Sequence, residues 1–174
     1  VIAVDGLGRV QAADRTLVLL VRQLLAHEPG AAVVYDQKCS SIVAEEITTR
    51  GGIPLREMSG HAFIKRRMLL EGAALGGEIS GHYFFRELGG DDALYACLAL
   101  LSALDGLGLS FTQAIDSVPV YPISPDIRLP AAPEVAGQIL AELEAAYSAL
   151  PIDRLDGVRI DFGDGWALAR LSVT

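Results

Sequence analysis

The sequence has few cysteines, few basic residues and no long apolar run, and each shortage excludes a class of protein. Its two cysteines, Cys39 and Cys97, form no C-x-x-C pair, so we expect reduced thiols in a cytoplasmic protein. The 14 Lys and Arg residues stand against 22 Asp and Glu, and the net charge of −8 argues against a nucleic-acid partner. The longest apolar stretch, residues 93–101, is too short to span a bilayer. No signal peptide is expected, because Val1 begins a strand-like run without a basic segment.

The composition and the apolar pattern predict an α/β fold. Hydrophobic residues make up 51% of the chain, which is enough for a substantial core. Short apolar runs alternate with helix-like segments, and this rhythm predicts a mostly parallel sheet with packed helices. The helix that Asp91 or Asp92 begins and Gly106 ends is apolar on nearly all sides, so we expect it to be buried. The predicted strands are 1–4, 31–35 and 53–56. Of the other predicted helices, Asp14 can cap the first, the second begins at Ser41, and the third covers residues 61–71.

The character of the chain changes near residue 121. Prolines in the segment 121–125 prevent a helix from continuing, so this segment marks a linker or an edge strand. A helix over 133–150 precedes a predicted hairpin of strands 158–162 and 166–170, and together they make a small, incomplete α+β domain. Both ends of the chain look cut, so we expect a piece of a larger protein. We divide the chain into a strand and turn at 1–12, an α/β domain at 13–120 and a partial α+β domain at 121–174.

The segment Gly76–His82 is the most informative part of the sequence. It combines the carboxylate of Glu78, the hydroxyl of Ser80 and the imidazole of His82 with flanking glycines. In an extended segment these three side chains would point to one side, because side chains alternate along a strand. A carboxylate can accept hydrogen bonds from two vicinal sugar hydroxyls, so the group suits a sugar. A turn with solvated polar residues would account for the same residues.

Polar clusters follow the predicted strands 31–35 and 53–56 and the next strand-like run along the chain. They comprise residues 36–38, 59–61 and 78–82, and ligand sites of parallel sheets lie beyond such strand ends. Taken singly, Lys38 is more typical of an ordinary exposed lysine, and His61 fits a helix cap as well as a ligand contact. Three clusters on one sheet edge nevertheless predict a site, and the free N–H groups of a helix that begins at residue 61 would favour an anion.

These clusters resemble motifs of the α-D-phosphohexomutases, the phosphomannomutase/phosphoglucomutase family, over nearly the whole chain. Residues 77–82 match the family's sugar-binding G-E-x-S-G-H loop. Residues 36–40 resemble its D-x-K-C-[ST] segment, and residues 59–61 resemble its [TS]-G-H loop. By this resemblance the chain is the C-terminal portion of a member, with the third domain and part of the fourth. Residues 123–125, 156–160 and 165–170 resemble the link into the last domain and the strands that lead to its phosphate loop.

The resemblance implies an isomerase that moves phosphate between O6 and O1 of mannose or glucose through a phosphoserine and a bisphosphate. It implies Mg2+ and hexose 1,6-bisphosphate as cofactors, with the serine and the metal ligands in preceding N-terminal domains that this chain lacks. The phosphosugar and those domains are the implied partners, residues 1–12 would follow the metal-loop domain, and the chain alone would be inactive. The implied site residues are His82, Lys38 and His61 for catalysis, Glu78, Ser80 and Gly77 for the sugar, and Arg170, Ser172 and Thr174 for the phosphate.

One departure and two alternatives accompany the resemblance. Val173 stands where the family's R-x-S-[NG]-T loop has a residue suited to positive φ, a conformation that is costly for a β-branched side chain. A phosphoglucosamine mutase is one alternative, although that branch usually has Gln at the position of Ile79. The other alternative is a non-catalytic phosphosugar-binding module, because the chain contains neither the phosphoserine nor the metal motif.

Overall fold

A five-stranded sheet with packed helices organises the first part of the chain. The computed structural model describes residues 1–171, which divide into a unit of Val1–Ile123 and a unit that begins at Ser124. The helices of the first unit are α1 (Ala13–His27), α2 (Ser41–Thr49), α3 (His61–Glu71), α4 (Ala93–Leu107) and α5 (Phe111–Asp116). Its strands are β1 (Ala3–Val4), β2 (Val10–Gln11), β3 (Ala32–Asp36), β4 (Ile53–Glu57), β5 (Leu75–Gly77), β6 (Tyr83–Phe85) and β7 (Gly90–Asp91).

The sheet has the strand order β4-β3-β5-β6-β7. Strands β4, β3 and β5 are parallel, whereas β6 and β7 add to β5 in antiparallel fashion. The predicted α/β class is therefore confirmed. The three parallel strands lie side by side at one edge of the sheet. The sheet is mixed because the segment 78–82 that joins β5 to β6 is too short for the crossover that a parallel strand would need.

Adjacent glycines in β5 let helices approach closely from both sides of the sheet. A Cβ atom on Gly76 would stand 2.6 Å from the sulfur of Met68 in α3. A Cβ atom on Gly77 would stand 2.5 Å from the side chain of Leu17 in α1. Because successive strand residues face opposite sides, α1 and α3 lie on opposite faces of the sheet. The core accordingly forms two apolar clusters, a larger one on the α1 side and a smaller one on the α3 side.

Helix α4 differs from its prediction in burial and in length. The Asp92 side chain accepts a hydrogen bond from the backbone N–H of Tyr95 and caps the helix, as predicted. The helix ends at Leu107, and Gly108, with φ of 63°, caps it in place of the predicted Gly106. The expected burial is wrong, because α4 packs on α1 and α5 along one side only and leaves an apolar stripe exposed. The exposed stripe consists of Leu94, Leu98 and Leu101. No helix within residues 1–171 is long and apolar enough to cross a membrane.

The second unit contains one helix and a small antiparallel sheet. Helix α6 (Pro133–Ala146) precedes β8 (Ile152–Asp153), β9 (Val158–Asp161) and β10 (Trp166–Ala169), and the strand order is β10-β9-β8. The predicted hairpin is confirmed, while the helix stops four residues short of the predicted end at residue 150. The Arg159 guanidinium lies 4.3 Å from the centroid of the Trp166 ring, and this cation–π contact stabilises the hairpin.

Candidate functional site

The three polar clusters meet at the carboxyl ends of the parallel strands. The loop of residues 37–40 follows β3, the loop of residues 58–60 joins β4 to α3, and the loop of residues 78–82 joins β5 to β6. The Ser59 hydroxyl donates to the Asp36 carboxylate at 2.6 Å, and the backbone N–H of Ile79 reaches the same carboxylate at 3.4 Å. The predicted convergence of the clusters is therefore present in the structure.

The loop of residues 78–82 is a tight turn, so the extended conformation considered from the sequence is wrong. The backbone N–H of Glu78 donates to the His82 carbonyl at 3.0 Å, and that of Gly81 donates to the Glu78 carbonyl at 3.0 Å. Gly81 has φ of 85°, and a Cβ atom there would stand 2.2 Å from the Val1 carbonyl oxygen. Only glycine fits this position, because both the dihedral and the close backbone approach exclude a side chain.

The turn nevertheless brings its three functional side chains together. The Ser80 hydroxyl donates to Glu78 Oε2 at 2.7 Å and lies 2.8 Å from His82 Nδ1. His82 Nδ1 is also 3.4 Å from Glu78 Oε2. With the serine proton directed to the carboxylate, the serine oxygen accepts from Nδ1–H, and this assignment leaves Nε2 of the neutral ring as a proton acceptor.

Glu78 is the buried member of this group. The residue is 5% exposed, whereas the Ser80 and His82 side chains reach the surface. One carboxylate oxygen, Oε2, is occupied by Ser80. The other, Oε1, is buried and has no hydrogen-bond partner among the described residues. A buried acceptor without a partner costs about 1–3 kcal/mol, so Oε1 is suited to a donor from a ligand.

Gly77, predicted to contact the sugar, is the last residue of β5. It is buried, and the side on which a Cβ atom would project is occupied by Leu17 of α1. Helix packing accounts for the glycine at this position. A sugar contact through its backbone stays a prediction.

Lys38 lies half-buried in the loop after β3. Its backbone N–H donates to Asp36 Oδ1 at 2.9 Å, and this bond fixes the turn that carries the lysine. The far end of the loop is held by Asp14, whose carboxylate accepts from the backbone N–H of Ser40 at 2.9 Å. Asp14 is thus a buried loop anchor and not the helix cap that was predicted. The neighbouring Cys39 is buried, and burial raises the pKa of its thiol well above the ordinary value.

His61 is the first residue of α3, as predicted. Gly60 occupies the cap position, so the interpretation of His61 as a helix cap does not hold. Its ring Nε2 lies 2.7 Å from Asp91 Oδ1 in β7, and the ring packs against Phe84 with centroids 5.2 Å apart. The Asp91 carboxylate therefore orients the exposed imidazole of His61. From the sequence, Asp91 was expected only as a possible first residue of a helix.

Arg170 follows β10 in the second unit. Its Nη1 donates to Asp156 Oδ2 at 3.1 Å, and both side chains are largely buried. Gly157, with φ of 85°, permits this contact, because a Cβ atom there would stand 2.2 Å from the Ala169 carbonyl oxygen. The other predicted phosphate ligands, Ser172 and Thr174, lie outside the described residues, as does Val173.

Comparison with known proteins decides the family. Residues 12–121 match the sequence profile described as phosphoglucomutase/phosphomannomutase, alpha/beta/alpha domain III. The chain belongs to this family. A phosphomannomutase/phosphoglucomutase of Pseudomonas syringae is 34% identical over 98% of this chain and 38% of its own length. A phosphoglucomutase of Neisseria gonorrhoeae is 37% identical over 96% of this chain and 37% of its own length.

A solved structure supports the same membership in the phosphoglucomutase/phosphomannomutase family. The crystal structure of a family protein from Burkholderia thailandensis matches with a TM-score of 0.83 at 32% identity. The match covers 95% of this chain and 36% of the Burkholderia chain. The chain therefore spans little more than a third of the length of these relatives.

The Mg2+ that family resemblance implies does not fit the described residues. Residues 1–171 contain no group of three or more His, Cys, Asp and Glu side chains that could hold a metal ion. In the candidate site such groups come together only in pairs among the described residues, Glu78 with His82, which Ser80 bridges, and His61 with Asp91.

Proposed function

We propose that the complete protein containing this chain is a phosphohexomutase that interconverts hexose 6-phosphate and hexose 1-phosphate of the mannose and glucose series. The observation that carries the proposal is Glu78, whose Oε1 is buried without a partner among the described residues. Its other oxygen is held by Ser80, so the carboxylate is oriented before a ligand arrives. Vicinal ring hydroxyls can donate to such a carboxylate in either orientation of the sugar, which a reaction at both O1 and O6 requires.

In the proposed reaction a phosphoserine outside this chain transfers its phosphoryl group to the free hydroxyl of a hexose monophosphate. The hydroxyl loses its proton as the new P–O bond forms, and the bisphosphate then returns its other phosphoryl group to the serine. His82 Nε2 is the proposed acceptor of the hydroxyl proton, since Nδ1 is engaged by Ser80. Lys38 and His61, on the two neighbouring loops, would contact the sugar or its phosphate.

We assign residues 13–120 to sugar recognition and residues 121–174 to part of a phosphate-binding domain, with 1–12 following a metal-loop domain. Arg170 is the proposed phosphate ligand of the second unit, together with Ser172 and Thr174. A phosphate would have to compete with Asp156 for the guanidinium of Arg170. The phosphate can replace Asp156, because it offers two oxygens that bind the guanidinium in a bidentate manner. We place the Mg2+ ligands in a domain outside this chain, and the reaction in the cytoplasm.

An assay of the complete protein tests the proposal. Glucose 1-phosphate and mannose 1-phosphate would be supplied with Mg2+ and a trace of glucose 1,6-bisphosphate, and formation of the 6-phosphates would be followed. We expect turnover by the complete protein and none by the 174-residue chain alone. Preference for glucosamine 1-phosphate would favour the phosphoglucosamine branch. Calorimetric binding of glucose 6-phosphate without any turnover would favour a binding module and contradict the proposal.

A further inference from the structure

The carboxylate of Asp36 connects all three loops of the candidate site. Asp36 ends β3 and is 2% exposed. Its Oδ1 accepts from the Ser59 hydroxyl at 2.6 Å and from the backbone N–H of Lys38 at 2.9 Å. Its Oδ2 accepts from the backbone N–H of Ile79 at 3.4 Å, the longest of the three contacts.

Each of these donors stands beside a side chain to which the proposed function gives a role. Lys38 itself is held through its backbone, Ser59 is in the loop that leads to His61, and Ile79 directly follows Glu78. We propose that Asp36 is the positioning residue of the phosphosugar site, which sets the spacing of these three loops without touching the substrate. This inference rests on the proposed function and deepens it.

Acceptors on both oxygens, and not only the shape of the side chain, are needed at this position. A carboxylate has acceptors on both oxygens, whereas asparagine offers one oxygen and an NH2 group of donors. In Asp36→Asn the amide oxygen can keep the bonds from Ser59 and Lys38, which leaves NH2 facing the N–H of Ile79. Two donors in contact repel each other, so the variant should release the loop of residues 78–82 while the other two loops stay attached.

The activity test compares Asp36→Asn with a matched control in the complete protein. Asp5→Asn is the control, because Asp5 is also a buried carboxylate that accepts from two backbone N–H groups and two side chains, but it contacts none of the three loops. We expect Asp36→Asn to lower kcat/KM by about tenfold or more at a temperature where both variants are folded. Asp5→Asn should lower the melting temperature and leave kcat/KM unchanged.

A double variant tests whether Asp36 acts through the sugar loop. If it does, Asp36→Asn combined with Glu78→Gln should lose less kcat/KM than the product of the two single losses, since the second change acts on a loop already displaced. Losses that multiply, or an Asp36→Asn variant no worse than Asp5→Asn, would overturn the inference.

Hydrogen exchange tests the same inference independently of activity. Peptides that cover residues 78–82 should exchange faster in Asp36→Asn, while peptides over residues 57–61 keep their wild-type rates. Unchanged exchange in residues 78–82, or a uniform increase over the whole chain, would contradict a positioning role. An inactive wild-type protein would instead refute the proposed function, and the exchange result would still decide the role of Asp36.

Discussion

Replacing Glu78 by glutamine tests the sugar contact with almost no change of shape. In the wild-type turn, Oε2 accepts from Ser80, and Ser80 in turn accepts from His82 Nδ1–H. The glutamine oxygen can take the place of Oε2 and preserve both bonds. The NH2 group then occupies the position of Oε1, where it presents donors in place of a charged acceptor.

The expected loss follows from the charge of the missing bond. A hydrogen bond to a charged group contributes about 1.5–3 kcal/mol, and each 1.36 kcal/mol is about a tenfold change in rate. We therefore expect Glu78→Gln to lower kcat/KM for hexose phosphates by about 10- to 150-fold, with weaker discrimination between mannose and glucose phosphates. The free energy of unfolding should stay the same or rise, because Oε1 loses no protein partner.

The assay measures kcat/KM of the complete protein with glucose 1-phosphate and mannose 1-phosphate, together with thermal unfolding. Glu46→Gln in α2 is the matched control, since its side chain is 13% exposed and pairs with Arg22 and Arg50. The control should lose stability and keep kcat/KM. An unchanged kcat/KM in Glu78→Gln would refute the sugar contact, and an equal loss in both variants would show that stability alone explains the effect.

Three further predictions follow from other parts of the chain. The hydrogen bonds from Arg22 hold the pKa of Glu46 below its ordinary value of 4.5, so Glu46→Gln should lower the free energy of unfolding by about 1–3 kcal/mol at pH 7. That difference should persist above pH 4.5 and disappear as the pH falls through the lowered pKa, which urea unfolding at pH 7 and pH 3 would detect. An aromatic disulfide reagent should label the exposed Cys97 in the native chain and Cys39 only after unfolding, and rapid labelling of two thiols would contradict the burial. Arg170→Ala should abolish most of the calorimetric affinity for glucose 6-phosphate and Arg170→Lys should restore part of it, whereas equal affinities would leave the anion site unexplained.

The alternation of strands and helices along the first unit could be predicted from the sequence, because local apolar patterns determine it. The predicted helix at 61–71 and strand at 31–35 agree with α3 and β3 to within a residue. Polar residues directly after apolar strands indicated the edge at which the three loops meet. The sequence analysis did not predict β6, and it therefore missed the antiparallel return that the short connection from β5 imposes.

The hydrogen-bond partners of the buried carboxylates could not be predicted from local sequence patterns, because these partners lie far away along the chain. Asp14 has the position of a helix cap in the sequence, but its partner is the backbone of Ser40 in another loop. Asp36 was identified only as part of a polar cluster, although its partners lie 23 and 43 residues away in the chain. Hydropathy likewise predicted burial of α4 without indicating that only one of its sides has a partner.

The geometry of the loop of residues 78–82 explains why stability and sugar binding should oppose each other there. The turn is fixed between two paired strands, and Gly81 locks it against the backbone of Val1, so the ligand need not order the loop on binding. Pre-organisation of this kind removes an entropic cost from binding and transfers it to folding. The buried Oε1 of Glu78 adds a second cost to folding, because it loses its hydrogen bonds to water and gains no protein donor among the described residues. A sugar hydroxyl that donates to Oε1 recovers this energy, so the destabilising feature of the unliganded loop is also the feature that favours the ligand.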